Sequence, residues 1–306
     1  MLPNSADPVA HGEARAQRSR ARRRFQALAS LPDGEIDLAE GALWISVEDS
    51  AEDGAESRLG CDVDARVEAG LAELDALAAE LRPRLEALPA GPGADLARLD
   101  ALRHFLFEEK GFRGDREEYH RPANSYLDRV LERRRGIPIT LAVVMMEVGR
   151  RVGVPLLGVG FPCHFLVRHA RHLEILLDPF AGGRLVSIDD CRRLLTQVCG
   201  GLPFHPRLLR PVSHRSMLQR MLNNLRAIHA SRGEPCELLR VLDRLLLLTP
   251  DDAVRLRERG LLRLRCGDMS GLEDLARYLE VEPEAPDRES LGHLVASAHS
   301  RFATVH

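Results

Sequence analysis

Between Ile139 and Val148 every position is apolar except Thr140 and Glu147, so a helix there has no polar face and has to be covered on all sides. Gly136 and Pro138 place a turn and a helix start before it, because proline suits the first helical position, where its missing N–H would have no partner anyway. The helix should end near Val152, with Gly153 as a left-handed cap and Pro155 blocking continuation. The apolar runs Leu156 to Phe161, Phe165 to Val167 and Leu173 to Leu177 have strand lengths.

Upstream the period is helical. Val67, Leu71, Leu74, Leu77, Leu81 and Leu85 recur at spacings of three and four and predict a helix over Val63 to Leu88, with Pro83 as a kink. An amphipathic helix is expected to begin at Ile36, with Trp44 as core filler. Leu96, Leu99, Leu102, Phe105 and Leu106 define the next one. Residues 111–124 read as a loop, after which Asn124 or Ser125 is expected to cap a helix ending in Arg133, Arg134 and Arg135. Those arginines fit either phosphate binding or a solvated helix end paired to Asp115 or Glu117. Beyond Pro179 come a Gly182-Gly183 turn, a short strand over Arg184 to Val186, and a helix capped by Ser187.

Residues 200–211 form a proline-containing linker, and from Ser213 the pattern is helical and repetitive. Gly233 and Gly267 stand 34 residues apart, as do Leu238 and Leu272, Val241 and Leu275, and Leu245 and Leu279; 34 is the tetratricopeptide (TPR) period. Two repeats and a terminal helix fall short of a free-standing solenoid, so this region is expected to pack against the core. The domains predicted are a basic, disordered arm over 1–33, a helical region over 34–110, a core over 111–212 and TPR-like pairs over 213–306.

Composition narrows the function. A net charge of −3 argues against nucleic-acid binding by the whole surface, leaving only the arm from Arg15 to Arg24 for weak association, and that arm has no interleaved aromatics for stacking. The six cysteines include no CxxC pair, which suits reduced thiols in the cytoplasm. No apolar run is long enough for a bilayer, no signal core opens the chain, and no membrane partner is expected. Neither a GxxxxGK[ST] nor a GxGxxG string is present, and no cofactor is expected.

The strings GFRGDREEYHRPANSYLDRVLERRRGIPITL (Gly111 to Leu141), GVGFPCHFLVR (Gly158 to Arg168) and LLDPF (Leu176 to Phe180) resemble the bacterial SirB-type family, described as regulators of sirC expression with transglutaminase-like and TPR regions. That resemblance covers nearly all of the chain after the first thirty-odd residues. It implies an α+β, predominantly helical fold: a transglutaminase-like, papain-like core with N-terminal helices and C-terminal TPR-like pairs. In transglutaminase-like enzymes a thiol at the head of a buried helix meets a histidine on one strand and an aspartate on the next. His164 matches that histidine and Asp178 that aspartate. Aligning Gly153-Val154-Pro155 with the family's Gly-Ile-Pro places Pro138 where the thiol belongs. The SirB-type family generally lacks this cysteine. It usually has glycine before the histidine, so Cys163 is a departure.

With a nucleophile in reach, an aspartate that orients an imidazole makes a competent base. Without one, the pair is a structural remnant. Cys163 precedes His164 directly, and if strand geometry holds there its side chain points to the opposite face, buried or packed away from the ring. Thr140 lies two helical positions from Pro138, roughly 200° around the axis, and should also miss the histidine. His164, His169 and His172 match no common zinc spacing, with the last two expected in an exposed turn; Cys191, Cys199 and His205 make no stronger case.

The sequence therefore supports a non-catalytic regulatory or interaction module that takes a protein or peptide in a helical groove. His164 and Asp178 stand as a vestigial dyad, with Asn124, Arg134, Arg135 and Cys163 as candidate binding residues. The competing reading is an atypical hydrolase or acyl-transfer enzyme on peptide or amide bonds, with His164 as base and Asp178 as orienter.

Overall fold

The computed structural model describes residues 8–48 and 62–303. The chain divides into two compact units, 1–221 and 222–306. The fold is predominantly helical α+β, with helices α1 (Pro8–Ala29), α2 (Leu38–Glu48), α3 (Val63–Glu86), α4 (Ala94–Arg103), α5 (Leu127–Arg133), α6 (Pro138–Arg151) and α7 (Ile188–Val198) in the first unit. Helix α8 (His214–Arg232) crosses the boundary, and α9 (Pro235–Leu248), α10 (Ala253–Arg265), α11 (Gly271–Val281) and α12 (Arg288–Ala303) belong to the second.

Helix α6 is the axis of the first unit. Every residue from Pro138 to Gly149 is buried, as a segment without a polar face requires. Pro138 holds the first helical position, Val152 the C-cap, and Gly153 the left-handed conformation at φ 76°. Buried Glu147 is satisfied by Arg150 Nη2 at 2.8 Å and Arg151 Nη1 at 2.6 Å, an arrangement its burial demands.

Strands β3 (Leu156–Val159), β4 (Leu166–His169), β5 (Leu176–Asp178) and β6 (Arg184–Leu185) form an antiparallel sheet in that order. The register sets Gly158 opposite Val167 and Val167 opposite Leu177. Val159, Phe161, Leu166 and Leu176 from the sheet region pack with Val186, and with Cys191 and Leu195 of α7. Helix α7 is capped by Ser187, whose Oγ accepts from Asp190 N. A parallel pair, β1 (Arg113–Gly114) with β2 (Arg135–Gly136), lies beside the head of α6.

Three expectations change. The arm is not disordered over 8–29: α1 buries Ala21 and Phe25 completely, while Arg22 pairs with Glu48 at 2.8 Å and Arg24 with Asp64 at 3.2 Å. Helix α2 is not amphipathic, since ten of its eleven residues are buried. Neither Asn124 nor Ser125 caps α5; Tyr126 holds the cap position, and Leu127 N donates to Ser46 Oγ at 2.8 Å instead.

In the second unit Gly233 ends α8 at φ 67° and Gly267 ends α10 at φ 80°, so the 34-residue spacing marks equivalent helix ends. Leu246, Leu256, Leu275, Tyr278 and Leu291 form its core. Arg259 and Arg263 both reach Asp243 and Asp274, satisfying carboxylates that are nearly or partly buried.

Candidate functional site

The head of α6 is Pro138, whose side chain carries no reactive atom. Thr140 is the nearest hydroxyl along the helix, and it is fully buried and committed: Oγ1 donates to Asn124 O at 2.8 Å and accepts from Ile137 N at 3.1 Å. The bond from Ile137 N satisfies the N–H of the cap residue, and the hydroxyl's hydrogen bonds all go to backbone groups.

His164 Nε2 lies 2.9 Å from Asp178 Oδ1. The direction is poor for a hydrogen bond, so Nε2 is a buried ring nitrogen without a well-formed hydrogen-bond partner. Asp178 Oδ1 is already occupied by Phe180 N at 3.0 Å and Ala181 N at 3.2 Å, which makes the aspartate the cap of the 3-10 turn Pro179–Ala181. The Phe180 ring stands edge-on to His164, with centroids 6.1 Å apart, and Tyr119 stands edge-on to Phe180 at 5.8 Å. The Arg116 guanidinium lies 5.9 Å from the Phe180 centroid. Gly114 allows this packing, because a Cβ there would meet the Phe180 ring at 2.5 Å and its carbonyl at 2.6 Å. Burial raises the Tyr119 phenol, with Arg220 opposing the shift.

Cys163 is not on a strand. Phe161 to His164 form a turn closed by His164 N donating to Phe161 O at 3.1 Å, with Pro162 second and Cys163 third at φ 55°. Proline followed by a positive φ is the pattern of a type II turn, where glycine is favoured. The thiol is exposed, not packed on a far face. Arg220 holds this turn, its Nη2 donating to Phe161 O at 2.8 Å and His164 O at 2.5 Å, and its guanidinium lies 5.4 Å from the Phe165 centroid. Burial lowers the Arg220 pKa, with Tyr119, Cys163 and Cys199 opposing.

The remaining candidates separate. Asn124 is near the α6 head, its Nδ2 donating to Glu118 O and its Oδ1 accepting from Arg133. Arg133 reaches Asp115 at 3.4 Å and Arg135 reaches Glu117 at 4.0 Å, the carboxylates the sequence nominated. Arg134 instead pairs with Glu73 at 2.5 Å and stacks over Phe112 at 4.7 Å. Burial alone would raise Asp115, but the Glu118 N–H, Asn124, Arg133 and Arg135 outweigh it and hold the carboxyl below its usual range. His169 is not in an exposed turn: it ends β4 and is fully buried. Among the described residues no group of three or more His, Cys, Asp or Glu converges as a metal site requires, and no helix is long and apolar enough to cross a membrane.

Nothing in the sequence singled out Arg220 or Tyr119 at this site. Arg220 lies 56 residues from the carbonyl it grips and carries no local signal. Tyr119 sits in the GFRGDREEYH string and offered a hint only through resemblance.

A buried helix followed by an antiparallel sheet that presents a histidine beside an aspartate defines a transglutaminase-like domain, here joined to TPR helices. The transglutaminase-like superfamily model matches residues 68–223 and the tetratricopeptide repeat model residues 225–296, and the chain belongs to the transglutaminase-like superfamily. It is 40% identical to a UPF0162 protein of Xylella fastidiosa over 73% of this chain and 81% of that one. It is 28% identical to Protein SirB1 of Salmonella typhimurium over 63% of this chain and 73% of that protein, in line with a SirB-type family. A 165-residue stretch, half of this chain and 26% of the other, is 33% identical to the human F-box only protein 21. No solved structure matches significantly.

Proposed function

We propose that this protein is a non-catalytic regulatory or interaction module whose transglutaminase-like cleft is a remnant and whose TPR helices bind an acidic protein segment. The observation that carries the reading is the α6 head, where Pro138 and the sealed Thr140 hydroxyl leave His164 and Asp178 with nothing to activate. The partner surface is a groove of about 590 Å³ in the second unit. Leu238, Val254, Leu261 and Tyr278 supply its apolar lining, and Arg226, Arg255, Arg257 and Arg265 outnumber its two acids, Glu258 and Glu282. Arg226 and Arg255 are held by Glu258, and Arg257 by Asp287. Exposed Arg265 is, among the described residues, the arginine of the four without such a pair, which leaves it for an incoming carboxylate.

Selection of binders to the purified chain from a random peptide display library tests this. Recovered sequences should combine acidic residues with an apolar anchor. Arg265→Glu should weaken them about tenfold, corresponding to roughly 1.4 kcal/mol, and His164→Ala should leave them unchanged. The competing reading keeps one supporting observation, the 2.9 Å contact between His164 and Asp178. Turnover of a peptide or amide substrate that disappears with His164→Ala would establish that enzyme and overturn the module.

A further inference from the structure

We infer that the occupant of the groove in the second unit is a dipolar segment with a fixed direction: a carboxylate seated on Arg265, an apolar side chain over Leu261, and a basic side chain seated on Glu282. This rests on the reading above and deepens it, adding to the acidic partner a second charge and the order in which the two must occur.

One face of α10 runs the length of the groove. Val254, Glu258, Leu261 and Arg265 all line it and recur at spacings of four, three and four, the period of a single helical face. Helix α11 packs antiparallel against α10: Arg257, near the start of α10, shares Asp287 with Tyr278 late in α11, whereas Gly260 and Arg263 meet Gly271 at its beginning. Tyr278 and Glu282 therefore border the Arg257 end of the groove, and Arg265 the other. Eight residues on from Arg257, Arg265 lies about 12 Å further along the helix axis.

Between those ends the charges neutralise one another within the protein. Glu258 accepts from Arg226 at 2.7 Å on one carboxylate oxygen and from Arg255 at 2.9 Å on the other, and Arg257 and the Tyr278 hydroxyl both donate to Asp287. Two charged groups of the lining stay uncommitted among the described residues, Arg265 and Glu282, and both are exposed.

Glu282 is not explained by its own helix. It is the C-cap of α11, where the last carbonyls already make the surroundings negative and a cation, not a carboxylate, is favoured. A basic side chain arriving there meets the carboxylate and the helix end together. Arg265 stands in the last turn of α10, and its guanidinium can take a carboxylate through two parallel N–H donors. Leu261 lies midway between Arg257 and Arg265, and with Leu262 and Tyr278 it gives the incoming segment apolar surface to cover. The separation sets the spacing on the partner: about 12 Å corresponds to roughly four residues of an extended segment or eight of a helix, with the apolar side chain between the charges.

Peptide display selection against the full chain and three variants, Glu282→Lys, Arg265→Glu and the double exchange, tests the direction. Sequences recovered on the wild type are expected to hold an acid and a base at the extended or the helical spacing, with an apolar residue between. Glu282→Lys should recover acids at both places and Arg265→Glu bases at both, while the double exchange should restore the pair in reversed order. The strongest wild-type sequence, made as a soluble peptide, should bind about tenfold more weakly once its base is changed to glutamate, and the same change should strengthen binding to Glu282→Lys. Both positions are exposed, so the variants should keep the wild-type melting temperature, which controls for folding. Wild-type binders with an acid but no base at a fixed spacing, or a Glu282→Lys profile identical to wild type, overturn this inference and leave the acidic-segment reading in place. No binders on any of these chains, or binders indifferent to the charge of residue 265, overturn both.

Discussion

Thr140 Oγ1 donates a 2.8 Å hydrogen bond to Asn124 O, tying the first turn of the central helix to the 3-10 turn that precedes α5. The same oxygen receives Ile137 N–H at 3.1 Å. One hydroxyl thus bonds two backbone groups at the start of the buried helix.

Thr140→Val removes that hydroxyl at nearly constant volume and leaves Ile137 N–H and Asn124 O with only their longer 3.4 Å bond to each other. A loss of about 2 kcal/mol is expected in urea denaturation. Thr140→Ser keeps the hydrogen bonds and should cost only about 1 kcal/mol for the missing methyl. Equal losses in the two variants would mean that the hydroxyl does little to hold the helix head.

His169 predicts a pH dependence. Its Nδ1 accepts from Arg171 N at 3.2 Å and His172 N at 3.1 Å, which a protonated ring cannot do. Burial first, then His172 and Arg171, lower its pKa, with Asp95 and Glu174 opposing. The unfolded chain, titrating near 6.5, takes up a proton that the native ring resists. The stabilisation is therefore complete above that value and is lost as pH falls through the lower native pKa. Melting temperature should drop as pH is taken from about 7 to 5, and His169→Asn, which keeps an acceptor without titrating, should show a shallower drop. Superimposable profiles would assign the pH dependence to other groups.

Gly260 and Gly271 bring α10 and α11 into backbone contact, and a Cβ at Gly260 would stand 2.9 Å from Gly271 O. Backbone cannot move aside as a side-chain tip can. Gly260→Ala is expected to destabilise the second unit by about 1–3 kcal/mol. Amide exchange in α10 and α11 should accelerate, with α6 unchanged as the internal reference. Protection equal to wild type in both helices would show that the crossing tolerates a methyl group.

The elements legible in advance were those whose cause is local. A proline at 138, an unbroken apolar run and a glycine at 153 define α6 because capping and burial act within a few residues. Ser187 with Asp190 marked α7 by the same logic, and the 34-residue spacing of Gly233 and Gly267 marked equivalent helix ends. The arm was misread because its order depends on Phe25 being covered and on Asp64 and Glu48 meeting its arginines from distant positions. Its charge pattern alone resembles that of a solvated tail.

Local pattern, read from the chain in one dimension, was enough to mark the buried helix with Pro138 at its head, and resemblance singled out His164 and Asp178. It had no access to what surrounds them. That Cys163 sits in a left-handed turn and not on a strand, and that Arg220 clamps the carbonyls on either side, are consequences of packing among segments 56 to 59 residues apart. Such contacts leave no periodic trace, because hydrogen bonds and charge pairs depend on distance in space, whereas helical and strand patterns record only which faces of a short segment are hidden from water.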